Sequence, residues 1–354
     1  MHATPRYPAP LKPGSRIAVP APSSGAESPM HARLDLALAH LRARGFVVEE
    51  GRSLRRQQHD ASAPAAERAA ELMALLQRDD VDAIVPPWGG ELAIELLDRL
   101  DWAALAHARP KWLLGYSDTS TWLLPITLRL GWATAHGPCL MDLVPGQDDA
   151  LTAGLWPSLA LPAGAEFEQR QSRAWQRDWI DFRSRPDCTY SLTETTHWRG
   201  LNRDGSVPVR IQGRLVGGCL DTLLALAGGP FADIPGFIRR CGGDGCILYL
   251  ENAELSPTAV VRALHALRWA GWFDGLAGLV LGRSSAPEPK PGTDGYEHLG
   301  YEGALRATLA DQAFPVLFDA DIGHLPPQML LINGARATLD WQAEHGAILA
   351  QRLD

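Results

Sequence analysis

Short apolar runs alternate with stretches of amphipathic, helical length over the first 130 residues, and this rhythm restricts the fold more than any other feature. Residues 15–20 (SRIAVP), 46–49, 82–85 and 112–116 read as strands. Between them lie helical patterns. The first opens at Ser28-Pro29, a serine N-cap with proline at the first helical position, and stops at Gly45. Others cover 65–76 and 91–100, and one runs from Ser117-Asp118 through residue 130. Strands separated by helices of about 10–15 residues build βαβ units and a parallel sheet. The expected class is therefore α/β, with a first domain over residues 1–145.

From residue 146 to 205 the period is lost. This stretch is rich in Arg and Asp and carries Trp175, Trp179 and Trp198. It reads as a linker plus an excursion that covers a site, because long aperiodic segments inside compact proteins are usually functional. A second domain is expected over 206–354. Its strands are read at 207–216, 247–250, 276–281 and 315–318, with helices over 220–227 and from Ser256-Pro257 through 270. Residues 282–295 read as a Pro/Ser/Gly loop, and 329–350 as β meanders.

Charge and composition exclude several classes of function. The 354 residues carry 33 basic and 41 acidic side chains, and the basic ones are scattered arginines. A net charge of −8 without a basic stripe disfavours nucleic acid as a partner. Cys139, Cys188, Cys219, Cys241 and Cys246 form no CxxC pair, which argues against a disulfide framework or a zinc knuckle and for a reducing cytoplasm. Prolines interrupt the N-terminal segment where a signal peptide needs an apolar run, and no stretch approaches the ~20 apolar residues of a membrane span.

Polar residues at the carboxyl ends of strands are the candidates for chemistry, since open α/β sheets place ligands there. Ser117, in Leu113-Leu114-Gly115-Tyr116-Ser117-Asp118-Thr119-Ser120, follows a strand and opens a helix. It is placed either as a helix N-cap or as a nucleophile on a tight elbow whose helix N-terminus faces an oxyanion. Glu251 ends the run Cys246-Ile247-Leu248-Tyr249-Leu250 and is a candidate to orient a histidine, with Glu254 as a rival. His324, in Asp319-Ala320-Asp321-Ile322-Gly323-His324, titrates near neutrality and suits a general base. Asp319, Asp321 and His324 lack the neighbouring ligands a metal would need, so no metal or cofactor is expected. The Gly89-Gly90 turn after Trp88 lets backbone amides approach a substrate.

Taken in order, these segments resemble the LD-carboxypeptidase family of serine peptidases, which includes muropeptide LD-carboxypeptidases and microcin C immunity peptidases. The matching pieces are Gly89-Gly90 with Leu96-Leu97 and Asp101, GYSDTS at 115–120, GRLVGG at 213–218, Leu248-Tyr249-Leu250-Glu251 and Gly323-His324. They span about residues 17 to 339. The resemblance implies a serine peptidase or amidase with Ser117 as nucleophile, His324 as general base and Glu251 as orienting acid. The amides of Gly90 and Asp118 would form the oxyanion hole. It also implies a parallel N-terminal α/β domain, a β-rich C-terminal α/β domain, a site between them and a homodimer. Asn252 stands where the family commonly has an acid, and Trp88 where muropeptide enzymes usually have arginine. With the tryptophan-rich excursion, this points toward an aminoacyl or peptidyl nucleotide as the substrate. The expected contacts are Trp88, Gly89 and one excursion tryptophan, Trp198 first. The alternatives are a murein tetrapeptide cleaved at its L–D bond, and a ligand-binding protein without chemistry.

Overall fold

The computed structural model describes residues 5–204, 206–288 and 297–354. Of the loop predicted at 282–295, residues 289–295 lie outside them. The strands are β1 (Arg16–Val19), β2 (Val47–Glu50), β3 (Ala83–Ile84), β4 (Trp112–Gly115) and β5 (Thr134–His136), then β6 (Glu166–Arg170), β7 (Ala174–Trp175), β8 (Glu194–Thr195) and β9 (Arg199–Gly200). After these come β10 (Val209–Cys219), β11 (Cys246–Glu251), β12 (Gly278–Gly282), β13 (Val316–Ala320), β14 (Leu331–Asn333), β15 (Arg336–Gln342) and β16 (Gly346–Arg352). One sheet has the order β14-β5-β4-β3-β1-β2, the other β6-β16-β15-β10-β11-β12-β13-β9, and β7 pairs with β8 alone.

The expected α/β class is observed. β1 to β5 pair in parallel; β1, β3, β4 and β5 are largely buried on both faces, as strands covered by helices must be, while β2 is the partly exposed edge strand. In the second sheet β10, β11, β12 and β13 are parallel, while β15 and β16 form an antiparallel hairpin. These two alternate buried and accessible residues, because only one face of that hairpin meets the core. A continuous core joins Leu72 and Trp122 of the first unit to Val216, Leu248 and Leu264 of the second.

The chain crosses between the sheets more than its sequence order suggests. β14 adds antiparallel to β5, so a strand from the C-terminal part completes the first sheet. β6 and β9, both from the 146–205 stretch, form the two edges of the second sheet. No helix among the described residues is long and apolar enough to cross a membrane.

Some helical expectations change in detail. Ser28 is not the N-cap. Ser28–Met30 is a 3-10 turn after Glu27, and the α-helix runs His31–Ala43. The helix expected over 91–100 is instead a 3-10 turn, Ala93–Leu96, and a short helix, Trp102–Ala106. Asp101 makes the break by accepting the Ala104 N–H at 3.0 Å, the competition with helix continuation that Asp offers. Ser256 does cap its helix, Pro257–Trp269, through the Ala259 N–H. Helices at Ile234–Cys241 and Tyr301–Leu309 had no clear sequence signal, being short and interrupted by Gly or Pro.

Candidate active site

Ser117 leaves the end of β4 with φ +61°, a left-handed conformation that a non-glycine residue adopts only when its surroundings enforce it. The enforcement is visible at the next residue. Asp118 is buried, and its carboxylate accepts from Ser23 Oγ at 2.5 Å, the Ala93 N–H at 2.8 Å and Thr121 Oγ1 at 2.8 Å. Burial outweighs these donors and leaves its acidity weaker than an ordinary aspartate's. Through Asp118, the β1 loop and the segment after Gly90 are fastened to the serine turn.

The Gly89-Gly90 turn packs directly on that serine. A Cβ at Gly89 would lie 2.8 Å from both Ser117 Cβ and the Asp118 amide nitrogen, and 2.9 Å from Ser117 Oγ. Gly90 has φ +139° against the Ser23 and Ser24 side chains. Only glycines let the two turns meet at this distance.

The second sheet delivers the other two groups. Glu251 ends β11 between β10 and β12 and is fully buried. His324 sits in the loop after β13, its side chain 18 % exposed. His324 Nδ1 is 2.8 Å from Glu251 Oε2, and Nε2 is 3.1 Å from Ser117 Oγ. With Nδ1–H donating to the carboxylate, Nε2 is left to accept from the serine hydroxyl. Gly323, at φ +93°, permits this approach, since a Cβ there would fall 2.4 Å from Glu251 Oε2. Burial pulls the imidazole toward the neutral form, but the charge and hydrogen bond of Glu251 outweigh it and raise its pKa. Burial likewise pushes Glu251 up, and His324 reverses this so that the carboxyl lies below its usual range. Ser117, His324 and Glu251, predicted from separate segments, are thus one hydrogen-bonded chain. Glu254 is exposed and offers its amide to Asp221 at 2.8 Å, outside that chain. Asn252 holds the following turn by donating to the Leu255 carbonyl and Ser284 Oγ.

The GRLVGG segment explains how the two halves fit. A Cβ on Gly217 would strike the Tyr249 carbonyl, and one on Gly218 would lie 2.7 Å from Ser120 Oγ. The Cys219 amide donates to that same Ser120 hydroxyl at 3.1 Å. The second sheet therefore docks on the first turn of the helix Ser120–Leu130, just past Ser117.

A cleft of about 490 Å³ opens over Ser117 and His324, with Trp88, Met141, Trp179 and Phe182 among its walls. Trp88 lies in this wall with its indole N–H on the Gly25 carbonyl. The tryptophan expectation needs correction. Trp198 is 4 % exposed, belongs to the core and donates its indole N–H to Asp321 Oδ2 at 2.9 Å, so it has no face for a ligand. Trp175 lies between the guanidinium groups of Arg177 and Arg283. Trp179 is the excursion tryptophan in the cleft, 49 % exposed and edge-on to Phe182. Two residues the sequence reading did not single out also matter. Tyr116 packs edge-on against His324, and buried Arg33 holds the excursion by donating to the Pro186 and Cys188 carbonyls while lying over the Phe182 ring. Nothing in the linear order marks either one, since Arg33 looks like any surface arginine on a helix. Among the described residues no cluster of His, Cys, Asp and Glu is arranged to hold a metal ion.

Residues 17–137 match the model of the LD-carboxypeptidase N-terminal domain, and residues 212–339 that of the LD-carboxypeptidase C-terminal domain. A putative carboxypeptidase of Streptomyces coelicolor is 31% identical over 357 residues, covering 98% of this chain and 96% of its own. The microcin C7 self-immunity protein MccF of Escherichia coli is 25% identical over 353 residues, covering 98% and 96%. A probable murein peptide carboxypeptidase of Bacillus subtilis is 26% identical over 343 residues, covering 96% and 92%. The structure of MccF in complex with glutamyl sulfamoyl guanosine superimposes with a TM-score of 0.80 at 22% identity over 98% of both chains, a likeness of fold.

Proposed function

The chain belongs to the LD-carboxypeptidase family, and from that premise we propose that it is a serine hydrolase in which Ser117, His324 and Glu251 act as one catalytic unit. The observation that carries this is the unbroken chain of contacts from Glu251 through His324 to a serine held at positive φ. Ser117 Oγ attacks the substrate's amide carbonyl carbon while His324 Nε2 takes the hydroxyl proton. Glu251 stays ionised, fixes the imidazole by its Nδ1–H bond and offsets the charge that forms on the ring. The oxyanion of the tetrahedral intermediate is received by the amides of Gly90 and Asp118, whose turns meet at Ser117. His324 then gives its proton to the leaving nitrogen, the C–N bond breaks, and an acyl-serine remains. Water, deprotonated by the same imidazole, hydrolyses this ester and restores the serine.

For the substrate we favour an aminoacyl or peptidyl nucleotide. Trp88, Trp179 and Phe182 give the cleft aromatic surface, and a nucleobase stacked on an aromatic ring gains about 1–3 kcal/mol. The relative MccF was crystallised with glutamyl sulfamoyl guanosine, a ligand of this class. The bond cleaved would be the amide joining the aminoacyl group to the sulfamoyl nucleoside. The free, buried state of all five cysteines fits a reducing cytoplasm, and the family resemblance implies a homodimer, which sedimentation would test.

The deciding experiment is to incubate the protein separately with an aminoacyl-sulfamoyl adenosine and with L-Ala-D-Glu-meso-diaminopimelate-D-Ala, following both by mass spectrometry. Release of sulfamoyl adenosine is the expected result. Release of D-alanine from an otherwise untouched pair would make the chain a murein carboxypeptidase instead.

A further inference from the structure

We propose that Asp321 is a positioning residue that fixes the His324 loop and the aromatic excursion in one register. The proposal rests on His324 being the general base. Asp321 is wholly buried, three residues before His324. Its Oδ2 accepts the Ser172 N–H at 2.9 Å and the Trp198 indole N–H at 2.9 Å. Its Oδ1 accepts Ser172 Oγ at 2.5 Å and Arg283 Nη2 at 2.7 Å. Four donors converge on one carboxylate, and three of them come from the two roots of the segment 173–197 that carries Trp179 and Phe182. The roots are also tied to each other, with Ser172 Oγ 2.7 Å from Thr196 Oγ1.

Arg283 completes the clamp. It is buried and donates to the Asp319 carbonyl at 3.3 Å and the Leu325 carbonyl at 3.4 Å, on either side of His324, while lying over the Trp175 ring. Beyond the histidine, the Pro326 carbonyl accepts the Gln176 N–H at 2.8 Å. Loop and excursion therefore meet on both sides of His324. A buried ion pair adds little net stability over apolar residues of the same shape, but it penalises every arrangement in which its partners separate. Holding a base within a fraction of an ångström of its nucleophile is a use for that penalty, because a 1 Å misplacement can cost about 10²-fold in rate. Trp198 thus acts on the reaction from the core, through Asp321, rather than by touching substrate.

The test uses Ser172→Ala, Trp198→Phe and their combination, which remove donors while keeping Arg283 paired, with Asp321→Asn as the severe case. Thermal unfolding selects the variants that fold. Three readouts are taken: the His324 imidazole titration by NMR, amide hydrogen exchange over 173–197, and kcat and KM on the substrate the wild type turns over. In the double variant the imidazole is expected to titrate at least half a unit lower as it drifts from Glu251. Turnover should fall about tenfold with KM within twofold, and exchange protection over 173–197 should weaken. An unchanged titration with kcat within twofold would overturn the proposal. So would a rise in KM alone for Trp198→Phe, which would return that ring to the substrate. Titration and exchange need no turnover. If the wild type hydrolyses nothing while both still move in the double variant, the clamp stands and the base assignment falls.

Discussion

A serine in the left-handed region, an imidazole and a buried carboxylate make one functional unit only if the loss of any one disables the whole. Ser117→Ala and His324→Ala are each expected to lower turnover by on the order of 10³-fold or more while the chain still folds. Near-wild-type hydrolysis by Ser117→Ala would dismiss the mechanism. The acid is tested separately. Glu251→Gln keeps the shape but lets an amide face Nδ1, so a drop of at least about 10²-fold is expected, against little change for exposed Glu254→Gln. Equal effects in kinetic assays of the pair would move the acid along the chain.

At the scale of elements, two turns and one excursion set the chemistry. Gly89→Ala would place a methyl group 2.8–2.9 Å from Ser117 Cβ and Oγ. The variant is expected to fold yet react far more slowly with a fluorophosphonate probe. Labelling at the wild-type rate would show that the two turns need not touch. Trp179→Ala removes half-exposed aromatic surface from the cleft wall without opening the core. If stacking on a base supplies about 1–3 kcal/mol, KM for the adenosine compound rises roughly 5- to 150-fold, with kcat little changed. A fall in kcat at constant KM would instead make the excursion a support for His324 alone.

Across the whole molecule, the join between the sheets buries titratable groups that pull stability in opposite directions. His136, at the end of β5, is fully buried with no partner on either ring nitrogen, and burial drops its pKa to about 4. Its unfolded form takes a proton near 6.5, so stability is lost as pH falls from about 6.5 to about 4, by roughly 3 kcal/mol. The raised His324 acts the other way. Its contribution is fully present below about 6.5 and is lost as pH rises through the folded value. Glu251, lowered, contributes above its ordinary 4.5 and loses this as pH falls through its folded value. Urea titrations between pH 7 and pH 4 should therefore show a smaller acid loss for His136→Phe than for wild type. Parallel curves would mean that His136 is not what the acid attacks.

The linear order of residues determined a good deal by itself. The alternation of apolar runs and helical patterns dictates parallel βαβ units, because burial on both faces demands continuous apolar strands. Ser117, Glu251 and His324 could be marked because each closes a strand or lies in the loop just beyond one, where a polar residue is conspicuous. Contacts between separate segments of the chain leave no such trace. That β14 joins the first sheet, that β6 and β9 edge the second, and that Asp118 locks the serine turn to Ser23 and Ala93 follow from which surfaces meet. The tryptophans show the limit most plainly. In the sequence Trp175, Trp179 and Trp198 are alike, since composition fixes only that each is large, apolar and able to donate one hydrogen bond. Tertiary packing alone gave Trp198 a buried carboxylate to satisfy its indole, left Trp175 between two arginines, and turned Trp179 into the cleft.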